Sequence, residues 1–476
     1  MPHQDPTRPI ESPAHHQDLK VVLDWLLAGT DFSEARFRDL CTWTPHGLTA
    51  AALLWAWSDE ATLTARFEAA RKIAIRALGL TEWTARTYQA FLKVLRAWTG
   101  VLAAALVLAL RRRMQADLAG RFLVGGYAVF GADGSRLELP RTRSNERRFA
   151  PRPRRPAAPR RHGRPRRRAA RARTARAEAA RAKKVNSPQM WLTVMFHVGP
   201  GLPWDWRTGP TDSSEREHLR QMIAALPAGA LVTADAGFVG YEYWKALVDS
   251  GREFLIRVGA NVRLLKHLGY ARERAGLVYL WPDREAARRQ PPLVLRLVVA
   301  RGPRHVVYLV TSVLEAEALA DEQVIALYRL RWGVELFYRR FKQTFGRRKL
   351  RSHCGANAEV EASWSLLGLW SLCLHGQVEL AADRLPASGV SAAGLLRAYR
   401  GAMRAYRSRP EPGESLWERL SLAVIDGYAR HNKASRDYPR RKREPAIGAP
   451  EIRPATPCEI ELARQIRDNH KTRLSA

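Results

Sequence analysis

Cysteine and acid are both scarce in this chain. Four cysteines, Cys41, Cys354, Cys373 and Cys458, are scattered over 476 residues, and no two stand at C-x-x-C spacing. That excludes a disulfide framework and gives no sign of a structural zinc, and it suits a reducing compartment. Asp and Glu number 46 against 79 Lys and Arg, a net charge of +33. A surface so one-sided repels itself unless a polyanion lies against it, and nucleic acid is the foremost polyanion. A membrane surface or ribosomal RNA would satisfy the same charge, so charge names a partner class and no chemistry. Long apolar runs are also absent. The longest, Val101 to Leu110, is too short to cross a bilayer and runs into Arg111–Arg113, which predicts a buried helix and no membrane partner. The polar opening from Met1 to Leu19 lacks the apolar core of a signal peptide, and the expected location is the cytoplasm, beside the nucleoid.

What is present is a globular chain, 46% apolar, long enough for two or three cores. From about residue 17 to 118 the apolar positions recur at helical spacing, with breaks at Gly29-Thr30 and Gly79 and no strand signal. The texture changes at Gly125-Gly126. Short apolar strands follow around 127–133, 191–198, 202–208, 230–235 and 254–258, with helices from about 214 to 226 and 241 to 250. Val278 to Trp281, Leu293 to Ala300 and His305 to Val310 read as a small extra sheet, and Ala320 to Phe345 as a helix. Residues from about 359 to 429 read as helical again, and Pro439 to Pro457 as extended. Between the first two strands lies a low-complexity tract, Arg147 to Lys184, with 17 basic residues against one Glu. It cannot bury a core, so a mobile loop is expected, either a solvated insertion or a clamp on phosphates. Strands alternating with helices predict an α/β core with a mixed sheet between helical regions. The boundaries are 1–120, helical; 121–375, the core, with the basic tract at 141–186 and the extra strands at about 254–312; and 376–476, helical with a basic, Pro-rich tail.

The chemistry-bearing residues lie in three places. Asp133 and Asp235 each close an apolar strand and precede small residues, Gly134-Ser135 and Ala236-Gly237. A strand's C-terminal tip is where α/β sheets expose their sites, although an Asp also simply starts turns. On the helix of 320–345, Tyr328, Arg331, Glu335 and Lys342 fall within an arc of roughly 60°. Beside them Leu327, Leu330, Val334, Phe337 and Phe341 form a docking stripe. Arg331 and Glu335 are also spaced as an ordinary i,i+4 ion pair. Two strand-tip acids and one helix acid can make a carboxylate cluster. Such oxygen donors suit hard cations, two of which roughly 4 Å apart activate water or a 3′-hydroxyl and stabilise the leaving oxygen.

The run Tyr328-Arg-Leu-Arg331-Trp-Gly-Val-Glu335-Leu-Phe-Tyr-Arg-Arg-Phe-Lys342 resembles the Tyr-x2-Arg-x3-Glu-x6-Lys signature of insertion-sequence DDE transposases. That is the group of the fourth insertion sequence and the fifth transposon. All four positions match at the right spacing. Phe-Gly-Ala-Asp133-Gly-Ser looks like that family's first aspartate and Thr-Ala-Asp235-Ala-Gly-Phe like its second. Tyr308-Leu-Val-Thr-Ser312 resembles the strand before the signature helix. The likeness covers residues from about 120 to 375. It implies a ribonuclease-H-like mixed sheet with a β insertion, and Asp133, Asp235 and Glu335 as ligands of two divalent cations, magnesium or manganese. It further implies Arg331 and Lys342 on DNA phosphate, Tyr328 positioning the strand, and a Trp of the insertion stacking on a flipped base, for which Trp281 is the candidate. The implied partners are double-stranded DNA, as terminal inverted repeats read by the front helices and as target, and a second copy in a dimer on paired ends. The implied activity is cut-and-paste transposition. Two departures stand out: Ala236 where members often carry Arg, and the length of the basic tract. A DNA-binding descendant without catalysis, or a nuclease that cuts without joining, would share much of this pattern.

Overall fold

A computed structural model describes residues 19–39, 41–81, 84, 86–151, 188–301, 306–381, 389–405, 415–425 and 448–474. Most of the basic tract and much of the Pro-rich tail lie outside these residues, so the expectations for them stand as sequence readings.

Four helices open the fold: α1 (Leu19–Leu27), α2 (Pro45–Trp57), α3 (Leu63–Leu78) and α4 (Tyr88–Asp117). Thr44, Thr62 and Thr87 cap the last three, each side-chain oxygen accepting an N–H of the first turn. Gly79, at φ 64°, ends α3 in the left-handed conformation that the sequence break anticipated. The apolar run of 101–110 sits inside α4, a helix long and apolar enough to cross a membrane by length and composition. Here it lies against protein along one face, through Phe91, Leu95, Leu102, Leu106 and Leu110, and is not buried all round as expected.

These helices do not keep a core of their own. They share one with the long helix α12 (Gly355–Ala381), after the short α5 (Ala119–Phe122), α6 (Arg143–Phe149) and the helices of the sheet region described below. Trp57 Nε1 donates to the Gly368 carbonyl at 2.8 Å, Trp364 Nε1 to Thr99 Oγ1 at 3.0 Å, and Arg347 Nη2 to the Ala56 carbonyl at 2.8 Å. The expected boundary near residue 120 is therefore a change of texture in the chain and no boundary in the packing.

One sheet holds all ten strands of the described residues: β1 (Val129–Glu138), β2 (Gln189–His197), β3 (Leu202–Gly209), β4 (Leu231–Ala234), β5 (Glu253–Val258), β6 (Arg263–Lys266), β7 (Leu277–Leu280), β8 (Leu293–Arg301), β9 (Val306–Thr311) and β10 (Glu451–Pro454). Their order is β10-β6-β7-β8-β9-β5-β4-β1-β2-β3. At one end β1, β2 and β3 are antiparallel, while β4 and β5 run parallel to β1. That is the ribonuclease-H-like mixed sheet the resemblance implies. The insertion strands do not form a second sheet. β9 pairs with β5 and carries β8, β7 and β6 outward, and β10 from the tail adds itself to β6.

Buried on both faces, β1 begins as a continuous apolar run. Val129 packs with Leu231 and Leu255 on one face, against Val324 and Leu327 of the helix that carries the signature. Phe130 and Val232 belong to the main core on the other face. The period of two therefore decides which β1 and β4 residues meet the signature.

Candidate active site

Asp133 and Asp235 share one level of the sheet by register. β1 and β4 are parallel, with Gly131 paired to Thr233. Each acid sits two residues further on, so both Cβ atoms leave on the signature face, about one strand spacing apart. Asp235 follows the end of β4, as expected. Asp133 does not end its strand: β1 continues to Glu138 because β2 still pairs with it there. The acid stands where β1 loses its parallel neighbour, an opening at the strand's side. Asp133 Oδ1 accepts the Gly134 N–H at 2.8 Å, and Asp235 Oδ1 accepts the Gly237 N–H at 2.8 Å.

Across this face lie α10 (Asp321–Leu330) and α11 (Trp332–Arg339), following α7 (Glu215–Met222), α8 (Tyr241–Asp249) and α9 (Asp283–Ala287) in the chain. The docking stripe is as read from the sequence except for Leu330, which is 40% exposed. Tyr338 seats α11 on the site. Its buried hydroxyl lies 2.9 Å from the carbonyl oxygens of both Asp133 and Leu192, sharing its proton between them. One turn earlier Glu335 accepts from Arg331 Nη2 at 3.0 Å, so the i,i+4 pair is formed. The Arg331 guanidinium lies 5.8 Å from the centre of the Tyr328 ring. Beyond α11 the chain takes a π turn, Arg340–Thr344, which brings Lys342 Nζ to 2.6 Å from Ser135 Oγ, two residues past Asp133.

Burial pushes the Asp133 carboxyl up to about 6; the Gly134 N–H and Arg331 act against this, and the charges of Asp235 and Glu335 add to it. Asp133 thus feels the charge of both other acids. Among the described residues, however, no three His, Cys, Asp or Glu side chains stand as a finished ion cage. The hold of Arg331 on Glu335 offers a physical reason, since a crowded acid pairs with the nearest cation it can reach. The donors are all carboxylate oxygens, and one of them, Asp133, is made harder to ionise by burial and its neighbours' charge. That donor set fits hard divalent cations.

Three residues of this site escaped the sequence reading. Glu215, in the first turn of α7, approaches from the other face of the sheet. Burial and the charges of Asp133 and Asp235 push its carboxyl up to about 7. A Cβ on Gly134 would stand 2.2 Å from Glu215 Oε1, so only glycine at 134 admits this carboxylate. Nothing in the run Ser214-Glu215-Arg216-Glu217 separates it from an ordinary acidic helix start. Tyr338 was legible only as one more ring in the signature stretch. Trp332, beside Arg331, is 57% exposed. It borders a hollow of about 310 Å³ with Tyr328, Arg329, Arg331 and Arg301. The candidate Trp281 needs correcting: it is 5% exposed, packs with Leu265, Leu268 and Tyr279, and donates its indole N–H to the Gln290 carbonyl at 2.8 Å. A ring so enclosed packs as core, and it borders a hollow of about 430 Å³ with Asn261 and Arg263.

Residues 132–370, half of the chain, match the family model of the transposase DDE domain. The chain belongs to the DDE transposase family. This family member is 28% identical over 182 residues to the transposase InsG of insertion sequence element IS4 from Escherichia coli (strain K12). The alignment covers 36% of the present chain and 40% of that relative, so the chain matches less than half of its length. Among solved structures, the cryo-EM synaptic complex of piggyBac transposase with hairpin DNA is similar over 88% of each chain, at 11% identity and a TM-score of 0.40. The matched segment of the DDE member contains Asp133, Asp235, Glu335 and the whole signature run.

Proposed function

We propose that the chain is a cut-and-paste DNA transposase whose catalytic acids are Asp133, Asp235 and Glu335. The observation that carries this reading is the shared level of Asp133 and Asp235 on adjacent parallel strands, facing the helix of Arg331 and Glu335. Asp133, Asp235 and Glu335 would hold two divalent cations, magnesium or manganese, with Glu215 as a fourth carboxylate. Such ions supply activation of the attacking oxygen and stabilisation of the leaving one.

The chain's own residues do the rest. Asp133 keeps a proton on its carboxyl near pH 6 while the site is unneutralised, and gives it up once positive charge arrives. Arg331 exchanges Glu335 for a phosphate oxygen, and Lys342 exchanges Ser135. Tyr328 and Arg331 hold the strand beside the cut, and the open ring of Trp332 gives a base a surface to stack on. Hydrolysis of the phosphodiester at each transposon end frees a 3′-hydroxyl, which then attacks a target phosphodiester in line, releasing the target's own 3′ oxygen. The front helices, which share the core of α12, present the terminal repeats, and a second copy completes the paired ends.

A strand-transfer reaction with precut ends tests the proposal. Joined product is expected from the wild type and none from Asp133→Ala or Glu335→Ala, with DNA binding in EDTA preserved in both. Nicked DNA without joined product would identify a nuclease instead, and unaltered behaviour of both variants a DNA-binding protein without catalysis.

A further inference from the structure

Beyond the three acids, an open hollow of about 1130 Å³ lies between the front helices and the segment after the signature. One wall carries Lys342, Arg348, Lys349, Arg351 and His353; Thr64 and Tyr88 of the front helices stand in the other wall, and among the described residues no Asp or Glu lines it. Arg348, Lys349 and Arg351 are exposed, but the backbone beneath them is fixed. Buried Arg347 donates to the Ser365 hydroxyl at 2.7 Å and to the Ala56 carbonyl at 2.8 Å. Glu361 accepts the N–H groups of Arg351 and Ser352 at 3.0 and 2.9 Å. The Leu350 N–H reaches the Glu138 carbonyl at 2.9 Å, and the Glu138 N–H reaches the Arg348 carbonyl at the same distance, which ties the segment to the end of β1. A loop stapled by its main chain on one side presents its basic side chains on the other, already ordered. Arg348 has an ion pair with Glu138 at 3.3 Å, but at 76% side-chain exposure that pair is weak.

The hollow begins at Lys342, whose Nζ lies on Ser135, and ends at Cys354. There a second hollow of about 520 Å³ opens, lined by Arg143, Arg147 and Arg148 where the basic tract starts. We infer that this groove is a track for the phosphodiester backbone of DNA leaving the catalytic centre, held by Arg348, Lys349 and Arg351 and closed on its far side by the front helices. The inference rests on the proposed transposase reading for the direction of the strand, while the binding itself is independent of catalysis.

The test uses full-length protein in EDTA, with fluorescence anisotropy of single-stranded and duplex oligonucleotides followed against salt. Loss of three phosphate contacts in Arg348→Gln/Lys349→Gln/Arg351→Gln is expected to lower the slope of log K against log salt by about 2–3. At 0.1 M salt it should weaken binding roughly a hundredfold. The two DNA forms report whether the track holds one strand or a duplex. Arg284→Gln/Arg288→Gln/Arg289→Gln removes the same charge from the far end of the sheet and should leave the slope near wild type. Thr64→Glu places a carboxylate in the groove from the opposite wall, at a helix start that tolerates it, and should weaken binding without touching the cations. An unchanged slope in the triple variant, or an equal fall in the far-end control, overturns the track. A catalytically dead protein that keeps the groove-dependent slope would overturn the transposase reading and leave the track standing.

Discussion

Asp133 is the residue at which site and stability oppose each other. Its folded carboxyl titrates near 6 because burial and neighbouring acids disfavour the anion, against 3.8 when unperturbed. Between about pH 4 and 6 the fold retains a proton that the unfolded chain has lost, so stability falls as pH rises through that window. Above it the full cost is present, about 1–2 kcal/mol once solvent screening is allowed for. Asp133→Asn in metal-free protein should therefore raise the melting temperature at about pH 8 and leave it unchanged at about pH 4. Magnesium should stabilise the wild type and not the variant. Thermal unfolding monitored by circular dichroism reads all three, and equal melting temperatures at the higher pH would mean that the fold does not disfavour the Asp133 carboxylate. At Tyr338 the contribution is positional: Tyr338→Phe removes a buried hydroxyl from two carbonyls and should cost about 1–3 kcal/mol in chemical denaturation. A larger proportional loss of strand transfer, with DNA binding in EDTA unchanged, would show that the hydroxyl sets the position of Asp133 as well as the stability of the fold.

Among the elements, β1 and α7 come together at Gly134 and Glu215. A methyl at 134 would stand 2.2 Å from Glu215 Oε1 and 2.8 Å from Trp191 Nε1. The carboxylate is the end of a flexible side chain, so it gives way before the sheet does. The Trp191 indole is rigid, so Gly134→Ala should cost about 1–3 kcal/mol of stability and lower strand transfer roughly as far as Glu215→Gln does, and the double variant should be no worse in strand transfer than either alone. Additive losses in that cycle would separate Glu215 from the site. Much at this scale was legible in the sequence. The helical period placed α1 to α4 and the signature helix, and apolar runs placed β1, β4 and β5 together with the acids they carry. The rest depended on partners that a local pattern does not contain. β1 outlasts Asp133 because of β2, which lies beyond the basic tract, and the insertion strands join the main sheet because β9 finds β5. The helix of Pro457–Leu474 lies in a stretch read only up to Pro457 as an extended tail. Glu215 feels the charge of Asp133 and Asp235 from beside Gly134, a relation with no spacing in the chain. Trp281 is buried and Trp332 exposed, a difference that residue type alone does not reveal.

At the scale of the whole molecule, the decisive fact is that the front helices, part of the sheet and α12 share one main buried cluster. Trp57, Phe67, Phe91 and Leu95 of the front helices belong to the same buried cluster as Trp364, Trp370 and Leu374 of α12 and as Phe130 and Val232 of the sheet. The segment 121–375 looked like a domain because its strands and motifs are continuous in the chain. Cut out, it would leave the front-facing side of α12 bare, with the Gly368 carbonyl deprived of Trp57 and the Arg347 guanidinium deprived of Ala56. Fully burying a large apolar side chain contributes about 1.5–3 kcal/mol, so a handful of such losses equals the net stability of an ordinary domain, about 5–15 kcal/mol. The fragment 121–375 is accordingly expected to bind a hydrophobic dye and to lack a cooperative melting transition, whereas residues 19–474 should unfold in one step followed alike by near- and far-ultraviolet circular dichroism. A fragment that melts cooperatively near the temperature of the full chain would contradict the shared core. It would also make the front helices a separable DNA reader, which the packing of Trp57 and Trp364 argues against.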